Sequence, residues 1–226
     1  MSDTADLIRD QGLVAVVRAP LEDQLFDWAI AVARGGIKLL GIPVTYPQVT
    51  EVASDLADEA NLVVGVSGVV NADQVMVAVA AGAHFVISPI CDVEIIRAAK
   101  ARGLAVIAGA ATPTELARCA AAGPDMVAIH PSAGLGGPRY IESLAEDFPD
   151  VSLAAAGGVD VESAPAYLEA GAVAAIVDRG VFPDAADPAA AQVITMRALA
   201  LTEICGEVLG RNRISMTEIL TRPPPA

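Results

Sequence analysis

Lysine and histidine are scarce in this chain of 226 residues, with Lys38 and Lys100, His84 and His130 as the full complement of each. A divalent-metal centre needs several His, Asp or Glu ligands converging, and two histidines on separate segments leave little to build one from; no metal or other cofactor is expected. Cysteine is limited to Cys91, Cys119 and Cys205 without a CxxC pair, which excludes a disulfide framework and suits free thiols in a reducing cytoplasm. Positive charge is short as well: 14 basic against 28 acidic residues leave a net charge of −14, a field that repels nucleic acid and anionic membrane surfaces. Long apolar runs are missing. Segments such as LVAVV, LVVGV, FVIS and AVAAIV fall far short of the ~20 residues of a membrane span. The opening MSDTADLIRDQG is polar and acidic, unlike a signal peptide, so a cytoplasmic protein is expected.

What the chain has in abundance is short apolar segments: hydrophobic residues make up 54%, and mean hydropathy is +0.53. One phrase recurs, a helical stretch, then Ala/Arg-Gly, then an apolar run, as in 33–42, 80–89, 100–109, 121–130 and 169–178. The glycine ends a helix in the left-handed conformation, and the run after it enters a sheet buried on both faces. Segments 12–18, 61–67 and 151–157 complete a set of eight strands, with helices predicted over 21–34, 47–59, 71–81, 92–102, 113–122, 137–147, 161–170 and 186–208. Asn71 and Asp92 read as N-caps, and Thr112-Pro113-Thr114-Glu115 reads as a capping box with proline in the first turn. Eight βα units predict an α/β protein, a single closed (β/α)8 barrel. A doubly wound open sheet is the runner-up, but no GxGxxG follows the first strand. Residues 2–10 form a short N-terminal helix across the barrel bottom in this reading. The barrel then occupies 1–210, and 211–226 is a C-terminal extension carrying Ile214, Met216, Ile219 and Leu220 before Pro223-Pro224-Pro225. That extension is either a frayed tail or a segment that docks on a protein partner.

Active sites of such barrels are built at the C-terminal strand ends. Read in order, those ends and the turns beside them include Val14-Ala15-Val16-Val17-Arg18, Gly35-Gly36-Ile37, Ser88-Pro89, Thr112-Pro113-Thr114-Glu115, Gly136-Gly137 and Gly157-Gly158-Val159. This set resembles the 2-keto-3-deoxy-6-phosphogluconate / 4-hydroxy-2-oxoglutarate aldolase family, from about residue 12 to 205. The resemblance implies a trimeric TIM barrel and class I aldolase chemistry. A strand-six lysine would form a carbinolamine and imine with pyruvate, and a strand-two glutamate would shuttle protons.

Carried over position by position, the resemblance puts the lysine at Ala128 and the glutamate at Gly41. Threonines of the family pattern fall on Gly68 and Ala156, a proline on Ala155 and a phenylalanine on His130. Arg18, Pro89, Gly157 and Gly158 match the family's functional positions. The family's phosphate cradle pairs the strand-seven Gly-Gly with a Gly-Gly-Ser segment after strand eight, which here reads Val177-Asp178-Arg179-Gly180 and sets a carboxylate against the anion. Lys38 and Lys100 are expected on the surface, and His84 at the barrel bottom.

Three functions stay open. The first is a catalytically silent member of the family, used for binding or regulation, whose pocket takes a small carboxylate through Arg18, Pro89, His130, Gly157, Gly158 and Arg179. The second is a lyase or other enzyme with altered chemistry on a small keto acid, acting through His130, Arg18 or Asp178. The third is a trimeric scaffold that binds a partner through 211–226. A metal shared by His130, Asp178, Cys91 and Asp92 is disfavoured, because those residues come from three strands without a dense ligand spacing.

Overall fold

Each apolar run is short enough to cross the sheet once and apolar enough to be covered on both faces, and together they close into a barrel. The strands are β1 (Leu13–Val16), β2 (Leu39–Pro43), β3 (Val63–Ser67), β4 (Phe85–Ser88), β5 (Ala105–Ala110), β6 (Met126–Ile129), β7 (Leu153–Ala156) and β8 (Ala174–Val177). They pair in sequence order, every neighbour parallel, and β8 returns to β1. The computed structural model describes residues 3–19, 24–60, 62–183 and 189–221.

Two cores result from the strand alternation. Inside the barrel, Val14, Val16, Leu39, Phe85, Ile87, Ile107 and Met126 pack with a run of alanines (Ala105, Ala128, Ala154, Ala156, Ala174). Helix α1 (Asp3–Gln11) plugs the bottom with Ala5 and Ile8, as the opening residues suggested. The Phe85 ring takes the space a side chain on Gly65 would need, so large and small residues alternate across facing strands. Outward residues such as Val86, Val106 and Val127 pack beneath the helices. At the bottom rim the Lys100 Nζ lies 2.7 Å from buried Asp125, whose other oxygen accepts the Val106 N–H. Arg9 donates to the Asp125 carbonyl there.

Helix boundaries follow the capping chemistry. The Asn71 side chain accepts from the Gln74 N–H to open α4 (Ala72–Ala80), and Asp92 accepts from the Glu94 and Ile95 amides to open α5 (Val93–Lys100). Thr112 and Glu115 form the expected capping box of α6 (Pro113–Ala122), which ends at Gly123 with φ of 80°. Helix α2 (Leu25–Arg34) packs on the last helix, α9 (Ala190–Thr221), through Gly35 and Gly36. A Cβ on Gly35 would collide with Ala198, and the Thr202 hydroxyl donates to the Gly35 carbonyl, so that glycine serves helix packing rather than chemistry.

One boundary differs from expectation. Helix α9 runs unbroken to Thr221 instead of stopping near 208, so no change of secondary structure marks the expected boundary at 210. Gly206 and Gly210 cost a helix ~1 kcal/mol each, which the flanking residues outweigh, and no proline interrupts before Arg222-Pro223. For 211–221 the structure describes the helical backbone alone, and 222–226 lie outside the described residues, as do 21–23 of the predicted helix 21–34 and 186–188 of the predicted helix 186–208.

Candidate functional site

A cavity of about 270 Å³ opens at the C-terminal ends of the strands. Strand alternation decides its floor: Val16, Ile87, Ala128, Ala156 and Ile176 are the last inward residues of β1, β4, β6, β7 and β8, all buried and all apolar. Ala128, on the position the resemblance gives to a lysine, is 2% exposed. Gly41 faces the same interior. A Cβ there would stand 3.2 Å from Val16 Cγ2, 3.4 Å from Ile87 Cδ1 and 3.4 Å from Ser67 Cβ, so side chains have closed over the position of the glutamate.

The rim is polar. Arg18 leaves the end of β1 and Asp178 the end of β8, and their side chains meet across the mouth with Nη2 3.7 Å from Oδ2. Asp178 has a second commitment, because its Oδ1 accepts the Arg179 N–H at 2.6 Å. The negative charge expected in this corner is therefore tied to its own loop and to Arg18. His130 is exposed at the rim, and its ring lines the cavity without a hydrogen bond to the described residues. Pro89 completes one wall, and its carbonyl fits against Gly109, where a Cβ would collide with it.

Beyond Gly157 the surface dips into a second, shallower depression lined by Ala133, Gly158, Val159, Asp160, Arg179 and Gly180. Gly157 and Asp178 border both hollows. The site residues singled out from sequence thus divide: Arg18, Pro89, His130, Gly157 and Asp178 surround the cavity, and Gly158 and Arg179 belong to the neighbouring depression. Asp160 is engaged there with Ser163, whose hydroxyl and amide hold its carboxyl below the ordinary carboxylate range.

The remaining candidates lie elsewhere. Cys91 is half-buried in the segment after β4 outside the cavity lining, and Asp92 spends its carboxylate capping α5. Neither joins His130 and Asp178, and among the described residues no group of three or more His, Cys, Asp or Glu side chains is placed to hold a metal. Burial pushes the Cys119 thiol, which neighbours Cys91, well above the ordinary thiol range, and the Cys205 thiol up to about 11. Such thiols are poor nucleophiles at neutral pH. His84 is exposed at the start of β4, Lys38 is exposed at the start of β2, and Lys100 is paired with Asp125. Both lysines sit at the end of the barrel opposite the cavity. No helix of the described residues is long and apolar enough to cross a membrane.

Three polar lining residues were not among the site candidates. Ser67 ends β3 on the inward parity set by Gly65, a signal that was readable, and among the described residues its hydroxyl bonds to no group. Ser88 is buried, donating to the Ile90 carbonyl at 2.8 Å and accepting the Ile90 amide, so it shapes the turn after β4. Thr45 follows β2 in a loop where nothing in the sequence distinguishes it.

Comparison with known proteins gives this geometry relatives. A family model described as "Aldolase: KDPG and KHG aldolase" matches residues 5–193. The 2-dehydro-3-deoxy-6-phosphogalactonate aldolase of Escherichia coli is 30% identical over 168 residues, 72% of this chain and 80% of that one. A 2-dehydro-3-deoxy-phosphogluconate aldolase of Pseudoalteromonas atlantica is 30% identical over 141 residues, 62% of this chain and 66% of its own. Among solved structures, the 2-keto-3-deoxy-6-phosphogluconate aldolase of Zymomonas mobilis with 3-phosphoglycerate superposes with a TM-score of 0.81 at 23% identity, over 90% of this chain and 97% of that one. The KDPG aldolase of Legionella pneumophila, with pyruvate captured as a covalent carbinolamine, gives 0.73 at 24% identity, over 92% and 98%.

Proposed function

Because the chain belongs to the KDPG and KHG aldolase family yet floors its cavity with Ala128, we propose that it is a non-catalytic member that binds a small carboxylate. A carbinolamine with pyruvate, as captured in the Legionella relative, needs an amine that can reach the carbonyl carbon. Ala128 offers none at the strand-six position, and Lys38 and Lys100 lie at the opposite end of the barrel, one of them spent on Asp125. Gly41 leaves the second strand without a carboxylate to move protons, and Val16, Ile87 and Ser67 occupy its surroundings. Arg18 supplies the cation at the mouth of the cavity, and Asp178 disfavours a dianionic phosphate ester in the adjoining corner. The observation that carries this reading is the buried alanine where the reaction needs an amine.

A direct assay tests it. Purified protein offered 2-keto-3-deoxy-6-phosphogluconate, its galactonate epimer or 4-hydroxy-2-oxoglutarate should release no pyruvate above the uncatalysed rate. Release at rates of ~1 per second or more, ordinary for enzymes, overturns it.

A second reading, an enzyme of altered chemistry on the same cavity, is favoured by His130 and Ser67. Both present polar groups to the cavity without bonding to any of the described residues, as a base or a hydroxyl awaiting substrate would. Turnover of a small keto acid that disappears in His130→Ala while binding persists would decide for it.

A further inference from the structure

We infer that the cavity takes an amphipathic monocarboxylate, its carboxylate on Arg18 at the rim and its hydrocarbon end buried on the barrel floor. This rests on the binding reading above and names the ligand class. Val16, Ile87, Ala128, Ala156 and Ile176 on the floor are buried and carry no polar side-chain atom, and the Ser67 hydroxyl is the polar group beside them, so a ligand that reaches this floor must present a mostly apolar surface. A short hydrophilic acid held at the rim would leave that floor against water. Charge in the cavity, among the described residues, is confined to its mouth, where Arg18 and Asp178 stand.

Arg18 is poised to exchange partners. Its side chain is 51% exposed, and its nearest approach to Asp178 is 3.7 Å, well beyond the ~2.7–2.9 Å of a charge-assisted hydrogen bond. Asp178 remains satisfied if Arg18 leaves, because its other oxygen holds the Arg179 amide. An incoming carboxylate therefore replaces a loose contact with a short one and strands no buried charge. The volume sets the upper limit: about 270 Å³ lies just under the ~300–1,000 Å³ typical of pockets for drug-sized molecules. The hydrocarbon is then a short chain or a branched stub, not a fatty tail.

Calorimetry with butyrate, hexanoate, octanoate, pyruvate and hexanol tests this on the full chain. Affinity should rise about fourfold per added methylene, from ~0.8 kcal/mol per buried group, until the cavity is filled. Hexanoate should bind better than hexanol, and Arg18→Met should erase that difference. Asp178→Asn, which keeps an acceptor for the Arg179 amide, should tighten hexanoate by removing the competing charge. Pyruvate binding as tightly as hexanoate, no gain with chain length, no binding by any acid, or indifference to Arg18→Met overturns the inference. Looser binding in Asp178→Asn also overturns it. No binding by any acid would take the binding reading down with the inference; the other failures leave that reading standing, and its non-catalytic half fails separately, by pyruvate release in the cleavage assay.

Discussion

The ring of His130 rests against Gly157, so closely that a Cβ on that glycine would stand 2.7 Å from Nδ1 and 2.9 Å from Cε1. Gly157 also holds φ at +80°, where side chains are strained. Both conditions come from one turn: the chain leaves β7 in a left-handed step that lets β6's histidine lean over the cavity. Gly157→Ala should accordingly lower stability by about 1–3 kcal/mol, the usual cost of a strained backbone residue, and displace His130. Denaturant unfolding reads the first effect. The shift of the His130 ring resonances reads the second, and an unmoved ring would mean the contact constrains nothing.

Lys100 is a structural lysine on the geometry described. Lys100→Met should leave Asp125 buried with one hydrogen bond fewer and cost ~1.5–3 kcal/mol, the range for hydrogen bonds to charged groups. Hexanoate affinity should be unchanged, since the pair sits at the barrel bottom. Chemical unfolding and calorimetry on the same variant separate the two. Loss of ligand affinity without loss of stability would assign Lys100 to the site instead.

The barrel was readable because glycine-terminated helices and five-to-eight-residue apolar runs alternate along the whole chain, and Asn71, Asp92 and Thr112 announce helix starts with side chains that go on to make the predicted bonds. The positions of Ala128 and Gly41 were legible through the family resemblance, and both face the barrel interior. The division between Arg18, at the cavity, and Arg179, in the neighbouring depression, was not. It depends on which way a loop turns after β8, and one Asp178 oxygen on the Arg179 amide settles that turn. The turn-shaping role of Ser88 was equally hidden, since a serine that bonds its own turn looks like any other in sequence. The end of α9 was not legible, since the helix carries on through Gly206 and Gly210 to Thr221.

Acid should destabilise the protein through Asp160 and Glu115. Hydrogen bonds from Ser163 hold the Asp160 carboxyl below its ordinary 3.8, and the Ala111 amide leads the groups holding Glu115 below its ordinary 4.5. A carboxyl lowered on folding binds its proton more readily in the unfolded chain. Its contribution is thus full above the ordinary value and is lost as pH falls through the folded one. Unfolding midpoints should fall as pH drops below about 4.5, and Asp160→Asn should flatten the lower part of that limb. An acid limb identical in the variant would remove Asp160 from the explanation.

Family resemblance implies a homotrimer, and the surface offers a face to hide. Val70, Met76, Val79, Ile90 and Val93, on and beside α4 and α5, are 36–45% exposed, apolar side chains that an interface would cover. Light scattering at micromolar concentration should return three times the 23.0 kDa chain mass, and Met76→Lys should shift it towards the single chain. A monomer in the unmodified protein would contradict the expectation.

Borohydride reduction in the presence of pyruvate, followed by intact mass and peptide mapping, tests the absence of Schiff-base chemistry most directly. An imine that forms is fixed as a stable secondary amine on the lysine that made it. With Ala128 at the floor, and Lys38 and Lys100 at the other end of the barrel, the mass should remain that of the unmodified chain at saturating pyruvate. An adduct mapped to Lys38 or Lys100 would contradict this.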